Sequence, residues 1–209
     1  MGDLILGAGF NVTGLTDPHE IERTHFLDSL SLLDLGYVSS ASSLVDVGSG
    51  AGLPALVLAL ALPNVKIVAV ESQRKKCAYI GRAAEALCLR NVEVYCVRAE
   101  EYGRTAGRGA HDVVVSRALA ALPVVAEYSL PLLAIGGTMV AMKGAISDQE
   151  RTQTEKALGI LGSDLLEAVR LQPFSGAQNR WVYLARKIRV TPIDYPRRPG
   201  IPAKRPLGG

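Results

Sequence analysis

Asp46-Val47-Gly48-Ser49-Gly50-Ala51-Gly52-Leu53-Pro54 directly follows the apolar run Ser43-Leu44-Val45, and the reading of this stretch decides the fold. It passes from a β-branched run into a glycine-rich turn and then into a helix that begins near Pro54. Glycine has no Cβ, so Gly48, Gly50 and Gly52 let a ligand approach the loop backbone, and the helix start offers its N–H groups. The dinucleotide fingerprint G-x-G-x-x-G would place its last glycine at position 53. Leu53 stands there instead, and the third glycine comes one residue early.

Outward from this loop, short β-branched runs alternate with longer helical stretches. Strands are predicted at Leu44–Val47, Lys66–Val70, Val92–Val97, Asp112–Val115, Thr138–Met142, Asp164–Leu171 and Arg180–Lys187. Helices are predicted at Pro54–Leu62, Arg74–Leu89, Leu122–Leu133 and Asp148–Leu161. Strands apolar on both faces and separated by helices indicate an α/β fold with a doubly wound, mostly parallel, seven-stranded sheet of the Rossmann-like type. The last two strands follow one another without a helix, which suits an antiparallel hairpin at the sheet edge. Before the sheet, Thr16-Asp17-Pro18 reads as a helix start, Ile21, His25, Asp28 or Ser29, and Leu32 follow at helical spacing, and Gly36 is expected to end the run.

At 209 residues and 48% apolar the chain supports one good-sized core, so a single domain over residues 1–187 is expected, with a helical segment 1–36 packed on it. Residues 188–209 hold the Pro/Gly-rich stretch TPIDYPRRPGIPAKRPLGG and are expected to form an extended basic arm. From Arg180 to Gly209 there are eight Lys/Arg against one acid, Asp194, while the rest of the chain is mildly acidic. That asymmetry suits a polyanion partner, although it also suits a solvated tail. The longest greasy stretch, Ala55 to Leu62, is too short to span a bilayer, and MGDLILGAGF lacks the pattern of a secretory signal, so a cytoplasmic protein is expected. Cys77, Cys88 and Cys96 show no metal-ligand spacing and are expected to be reduced core thiols, with no metal site.

The charge around the loop narrows the ligand. A pyrophosphate would be repelled by Asp46, whereas an ammonium or sulfonium would be attracted. Glu71 closes the second strand, where a carboxylate can accept hydrogen bonds from both hydroxyls of a ribose. Ala99-Glu100-Glu101 follows the third strand and can meet the exocyclic amine of an adenine. Ribose, adenine, a cationic end and no phosphate describe S-adenosylmethionine.

These segments together resemble the bacterial 16S rRNA guanine-N7 methyltransferase family, also called glucose-inhibited division protein B. Asn11-Val12-Thr13 with Asp17-Pro18, His25-Phe26-Leu27-Asp28-Ser29-Leu30, DVGSGAGLP, Glu71-Ser72 before Arg74-Lys75-Lys76, Arg98-Ala99-Glu100-Glu101, Val115-Ser116-Arg117-Ala118, Lys143-Gly144 and Asn179-Arg180 are similar to the family's motifs in order. The resemblance implies a class I S-adenosylmethionine-dependent methyltransferase whose partner is 16S rRNA or the small ribosomal subunit. It implies cofactor contacts at Gly48, Leu53, Glu71, Ala99, Glu100 and Arg117, and an acceptor site around Asn11, His25, Arg98, Lys143 and Arg180. With Asp46, Gly50 and Gly52 from the loop, these are the candidate site residues. A monomer that needs no protein partner is expected.

The residues also bear on the acceptor atom. The fourth strand ends Val115-Ser116-Arg117-Ala118, with neither the N/D-P-P-Y/F tetrad of exocyclic-amine enzymes nor a cysteine nucleophile. Guanine N7 is an sp² lone pair with no proton to lose, and orientation alone can lower a barrier by about 7–11 kcal/mol. The lack of an obvious general base therefore fits N7 chemistry. A methyltransferase of a small molecule or protein, a non-catalytic RNA- or nucleotide-binding module, and a dinucleotide oxidoreductase are the alternatives.

Overall fold

The computed structural model describes residues 17–163 and 166–209. Seven strands form one sheet: β1 (Ser43–Val47), β2 (Lys66–Val70), β3 (Val92–Tyr95), β4 (His111–Arg117), β5 (Leu133–Lys143), β6 (Glu167–Arg170) and β7 (Trp181–Arg186). Their order is β3-β2-β1-β4-β5-β7-β6. The pairs β3–β2, β2–β1, β1–β4 and β4–β5 are parallel, while β7 runs antiparallel to both β5 and β6. The doubly wound, mostly parallel sheet with an antiparallel hairpin at its edge is thus the architecture that the pattern of apolar runs predicts.

Because successive strand residues point to opposite faces, each strand feeds two cores. Leu44, Ile67, Ala69, Val113, Val115, Val140 and Val182 face a layer that includes α1 (Ala55–Ala61) and α2 (Arg74–Ala86). Val45, Val68, Val70, Val114, Met139, Ala141 and Tyr183 face the other layer, with α4 (Leu122–Ser129) and α5 (Asp148–Leu161). A short α3 (Ala99–Tyr102) follows β3, and α6 (Ile201–Lys204) lies in the tail. The fourth strand is longer than its apolar run, so Arg117 is its last residue. The helix predicted up to Leu133 stops at Ser129, and a 3-10 turn over Leu130–Leu132 leads into β5.

The helical segment before β1 is irregular. A turn at Pro18–Ile21 widens into a π-helical stretch at Glu22–Leu27, returns to α at Asp28–Leu30 and tightens to 3-10 at Ser31–Asp34. Gly36 begins a further helical turn, Gly36–Ser39, rather than ending the run. Of the three cysteines, Cys77 is buried, but Cys88 and Cys96 are exposed, contrary to the expected core positions.

The largest departure is the tail, which is packed rather than extended from the domain. Arg108 donates to the carbonyls of Thr191 (2.8 Å) and Tyr195 (2.7 Å), and Arg104 donates to that of Pro196 (2.8 Å). Thr191, which is buried, donates its hydroxyl to Leu161 O at 2.7 Å. Arg197 clamps the fully buried Glu127 carboxylate, with Nη2–Oε2 at 2.6 Å and Nε–Oε1 at 2.9 Å. The physical reason is that prolines lack the N–H that would satisfy nearby carbonyls within the stretch, so the domain supplies guanidinium donors for those carbonyls.

Removing one member of a buried ion pair leaves the other uncompensated, which costs about 3–5 kcal/mol. Arg197→Met should therefore lower the melting temperature by about 6 °C or more. Pairing it with Glu127→Leu should recover part of the loss. Scanning calorimetry of the single and double variants checks this, and a single variant that melts like the wild type overturns it.

Candidate active site

The sheet reverses its winding between β1 and β4, and a crevice opens outside the carboxyl ends of the strands there. The glycine loop closes β1 by folding over the end of β2. Gly48 and Ser49 donate their N–H groups to Val70 O at 2.9 and 3.2 Å, and Gly52 N–H returns to Ser49 O at 2.7 Å. All three loop glycines have positive φ, at 72°, 57° and 76°. A side chain at Gly48 would run into Leu119, and one at Gly52 would meet Leu56 Cδ1 at 2.6 Å. Gly50 differs: a Cβ there would approach nothing nearer than Gly48 O, at 3.8 Å.

Glu71 ties this loop to the next one. Its Oε2 accepts the Gly50 N–H at 3.0 Å and its Oε1 accepts the Gln73 N–H at 2.9 Å. A cavity of about 400 Å³ lies against Gly48, Gly50, Glu71, Ala99, Glu100 and Arg117. Lys76, Arg98, Tyr128 and Ala203 also belong to its wall. Glu100 is nearly fully buried and its Oε1 accepts the Gly200 N–H at 2.8 Å, so the tail is fastened to the cavity wall.

Asp46 does not reach this cavity. Leu44 and Asp46 share a strand face, so the carboxylate points under the loop toward α1, where Oδ2 accepts the Ala55 N–H at 3.2 Å. It is completely buried, and burial pushes its pKa up to about 7 against the pull of the Ala55 and Ser49 hydrogen bonds. Leu53 and Gly52 also lie off the cavity, packed on the core side of the loop. The carboxylates that a bound cation would meet are therefore Glu71 and Glu100, not Asp46.

A second cavity of about 290 Å³ is lined by Thr24, His25, Asp28, Met142, Lys143, Asn179, Arg180 and Trp181, and it shares Arg117 and Ala118 with the first. The acceptor-side residues His25, Lys143 and Arg180 thus come together, whereas Arg98 lies at the first cavity and Asn11 lies outside the described residues. Burial, then the nearby Arg117 charge, lowers His25 to about 4, so its imidazole is neutral at pH 7. Lys143 has internal partners: it donates to Ala120 O at 3.2 Å and sits 3.4 Å from Glu150 Oε1. Arg180 Nε donates to Asp28 Oδ1 at 3.1 Å, and Asp28 is itself buried. The sequence places Asp28 on the helix face of His25, as a group to orient that ring or cap a loop, but not among the candidate site residues; the cavity adds it to them.

The cavity residues suit S-adenosylmethionine. A loop open to approach at Gly50 and carboxylates at Glu71 and Glu100 fit a ribose and a cationic end, while Lys76, Arg98 and Arg117 also line the wall. Among the described residues, no group of three or more His, Cys, Asp or Glu could hold a metal ion, and no helix is long and apolar enough to cross a membrane.

Comparison with known proteins agrees with this geometry. Residues 4–174 match the family model described as GidB, rRNA small subunit methyltransferase G. The chain is 42% identical over 199 residues to a ribosomal RNA small subunit methyltransferase G from Pelotomaculum thermopropionicum, covering 94% of this chain and 83% of that one. It is 40% identical over 201 residues to the protein of that name from Deinococcus radiodurans, covering 94% and 78%. Among solved structures, a SAM-dependent O-methyltransferase from Thermotoga maritima superposes with a TM-score of 0.62 at 17% identity, covering 91% and 72%. The fibrillarin pre-rRNA processing protein of Methanococcus jannaschii does so with 0.55 at 16%, covering 72% and 68%. These two likenesses establish the class I methyltransferase fold.

Two outcomes follow for the loop. Gly50→Ala keeps a left-handed φ at a cost of about 1–2 kcal/mol, and Gly50→Val adds bulk at the cavity. Calorimetric titration with S-adenosylmethionine should show the valine variant binding far more weakly than a still-folded alanine variant, and equal affinities would overturn the ligand's placement. For Asp46, the native state holds its proton between pH 4 and pH 7 while the unfolded chain releases it, so this group's contribution to stability falls as pH rises through that window. In urea titrations the stability of Asp46→Asn minus that of wild type should grow from pH 4 to pH 7, and a flat difference would overturn the burial-raised carboxyl.

Proposed function

The chain belongs to the rRNA small subunit methyltransferase G (GidB) family, and from that premise we propose that its two adjoining cavities serve to methylate N7 of a guanine in 16S rRNA. The observation that carries this reading is the junction at Arg117 and Ala118, which line both cavities and so set the cofactor side against the acceptor side. S-adenosylmethionine supplies an electrophilic methyl carbon on a sulfonium. The N7 lone pair forms the new C–N bond while the C–S pair returns to sulfur, so positive charge moves to the base and no proton is exchanged.

The chain's task is therefore positioning. Gly48 and Gly50 leave room at the loop backbone, Glu71 and Glu100 receive the nucleoside and the cationic end, and Arg117 holds the boundary between the two sites. A neutral His25 adds no positive charge beside a base that is becoming cationic. Exposed Arg198, Lys204 and Arg205 offer charge to rRNA phosphates. A splayed guanine suits a cavity of this kind, because N7 in an A-form helix faces a deep, narrow groove. The enzyme acts in the cytoplasm as a monomer and needs no protein partner.

Mass spectrometry of 16S rRNA from cells with and without the protein should show one 7-methylguanosine lost in its absence, and an unchanged complement would sink the reading. Arg117→Ala should reduce methyl transfer to purified rRNA or small subunits by at least tenfold with little change in melting temperature. A collapse in melting temperature would instead make Arg117 a structural residue.

A further inference from the structure

We propose that Asp28 is the group that selects guanine, by accepting hydrogen bonds from the N1–H and exocyclic N2 amine of the acceptor base. The inference rests on the guanine-N7 reading above and assigns the part of the site that recognises the base rather than transferring the methyl group. Among the residues that line the second cavity, Asp28 is the carboxylate, set among Arg117, Lys143 and Arg180. Cations and N–H donors can meet O6 or a phosphate, but they cannot accept from N1–H or N2. Guanine alone of the four bases presents two adjacent donors on its Watson–Crick edge, and a carboxylate with one oxygen directed at each is their complement. Adenine would set its N1 lone pair against the same oxygens.

The geometry leaves Asp28 able to do this. Its hydrogen bond to Arg180 Nε, at 3.1 Å, engages Oδ1, and no other hydrogen bond to its carboxylate occurs among the described residues. Its position is fixed from below, because the backbone carbonyl of the same residue accepts the Ser31 hydroxyl at 2.7 Å. The π-helical widening at Glu22–Leu27 lies one turn before it and brings Thr24 and His25 to the same wall. Trp181 lines the same cavity and supplies a ring on which a base can stack. With the Watson–Crick edge held at Asp28, the opposite, N7-bearing edge of the purine is free to turn toward the junction at Arg117 and Ala118. A carboxylate at this edge also offsets the positive charge that the purine gains on methylation.

The test uses the full chain and small-subunit rRNA in which the nucleotide identified as methylated is guanosine or inosine, which lacks the N2 amine but keeps N7, O6 and N1–H. Wild type should favour guanosine in kcat/KM by at least about tenfold, the worth of one hydrogen bond to a charged group. In Asp28→Ala that preference should fall toward one, even though both rates drop. Arg180→Gln, which removes the partner of Asp28 but leaves its carboxylate, should lose rate on both RNAs and keep the preference. Equal rates for wild type on the two RNAs overturn the proposal without needing any variant, as does a preference that survives Asp28→Ala. No methylation of the guanosine RNA by wild type would overturn the guanine-N7 reading itself, a result distinct from equal rates.

Discussion

The reversal of winding between β1 and β4 governs the rest of the molecule. The chain leaves β1 toward β2 on one side and reaches β4 on the other, so the connections diverge and leave a crevice at the strand ends between them. Much of the first cavity lies at such ends: the loop after β1, Glu71 after β2, Ala99 and Glu100 after β3, and Arg117 closing β4, with Tyr128 of α4 and Ala203 of the tail added from outside them. The parallel pairing of these strands fixes their carboxyl ends side by side, with Val47 opposite Val70 and Asp46 opposite Val115. The site is thus a consequence of topology first and of side-chain chemistry second.

Carboxylates buried near that edge have different work, which their partners decide. Asp46 receives one N–H and is pushed toward protonation by burial, so it acts as a fastening for the start of α1. Glu71 receives two N–H groups from two loops and holds them in register at the cavity wall. Glu127 receives a guanidinium and anchors the tail, while Glu100 faces the cavity and also holds Gly200. The site residues are stabilised by the same hydrogen bonds that close the fold. The tail and the cavity wall therefore share Glu100.

Much of this was legible in the sequence because strands buried on both faces leave a plain mark: continuous β-branched runs separated by helical stretches. The loop position and Glu71 were legible for the same reason, since each directly follows such a run. Asp46 was misread as facing the ligand, although the period of two places it on the same face as Leu44, under the helix. The three glycines looked equivalent, yet Gly48 is demanded by Leu119, Gly52 by Leu56, and Gly50 alone opens on free space. Those distinctions depend on neighbours far along the chain, which local spacing does not encode. Asp28 was legible as a neighbour of His25 but not as a site residue, because its partner Arg180 reaches it from the end of the β6–β7 connection.

The tail shows how composition differs from available charge. Eight basic residues after position 179 suggest a polyanion-binding arm, but five have partners inside the fold. Arg180 holds Asp28, Arg186 donates to Gly136 O, and Arg189 donates to Gly159 O. Lys187 is buried with Leu130 O and Leu133 O as acceptors, and Arg197 grips Glu127. Arg198, Lys204 and Arg205 remain exposed, flanking the α6 segment whose Ala203 lines the first cavity. Positive charge is therefore concentrated beside the mouth of the site rather than spread along a free arm. A polyanion drawn to these three residues would arrive at the cavity edge, so the packed tail couples substrate attraction to the place where transfer occurs.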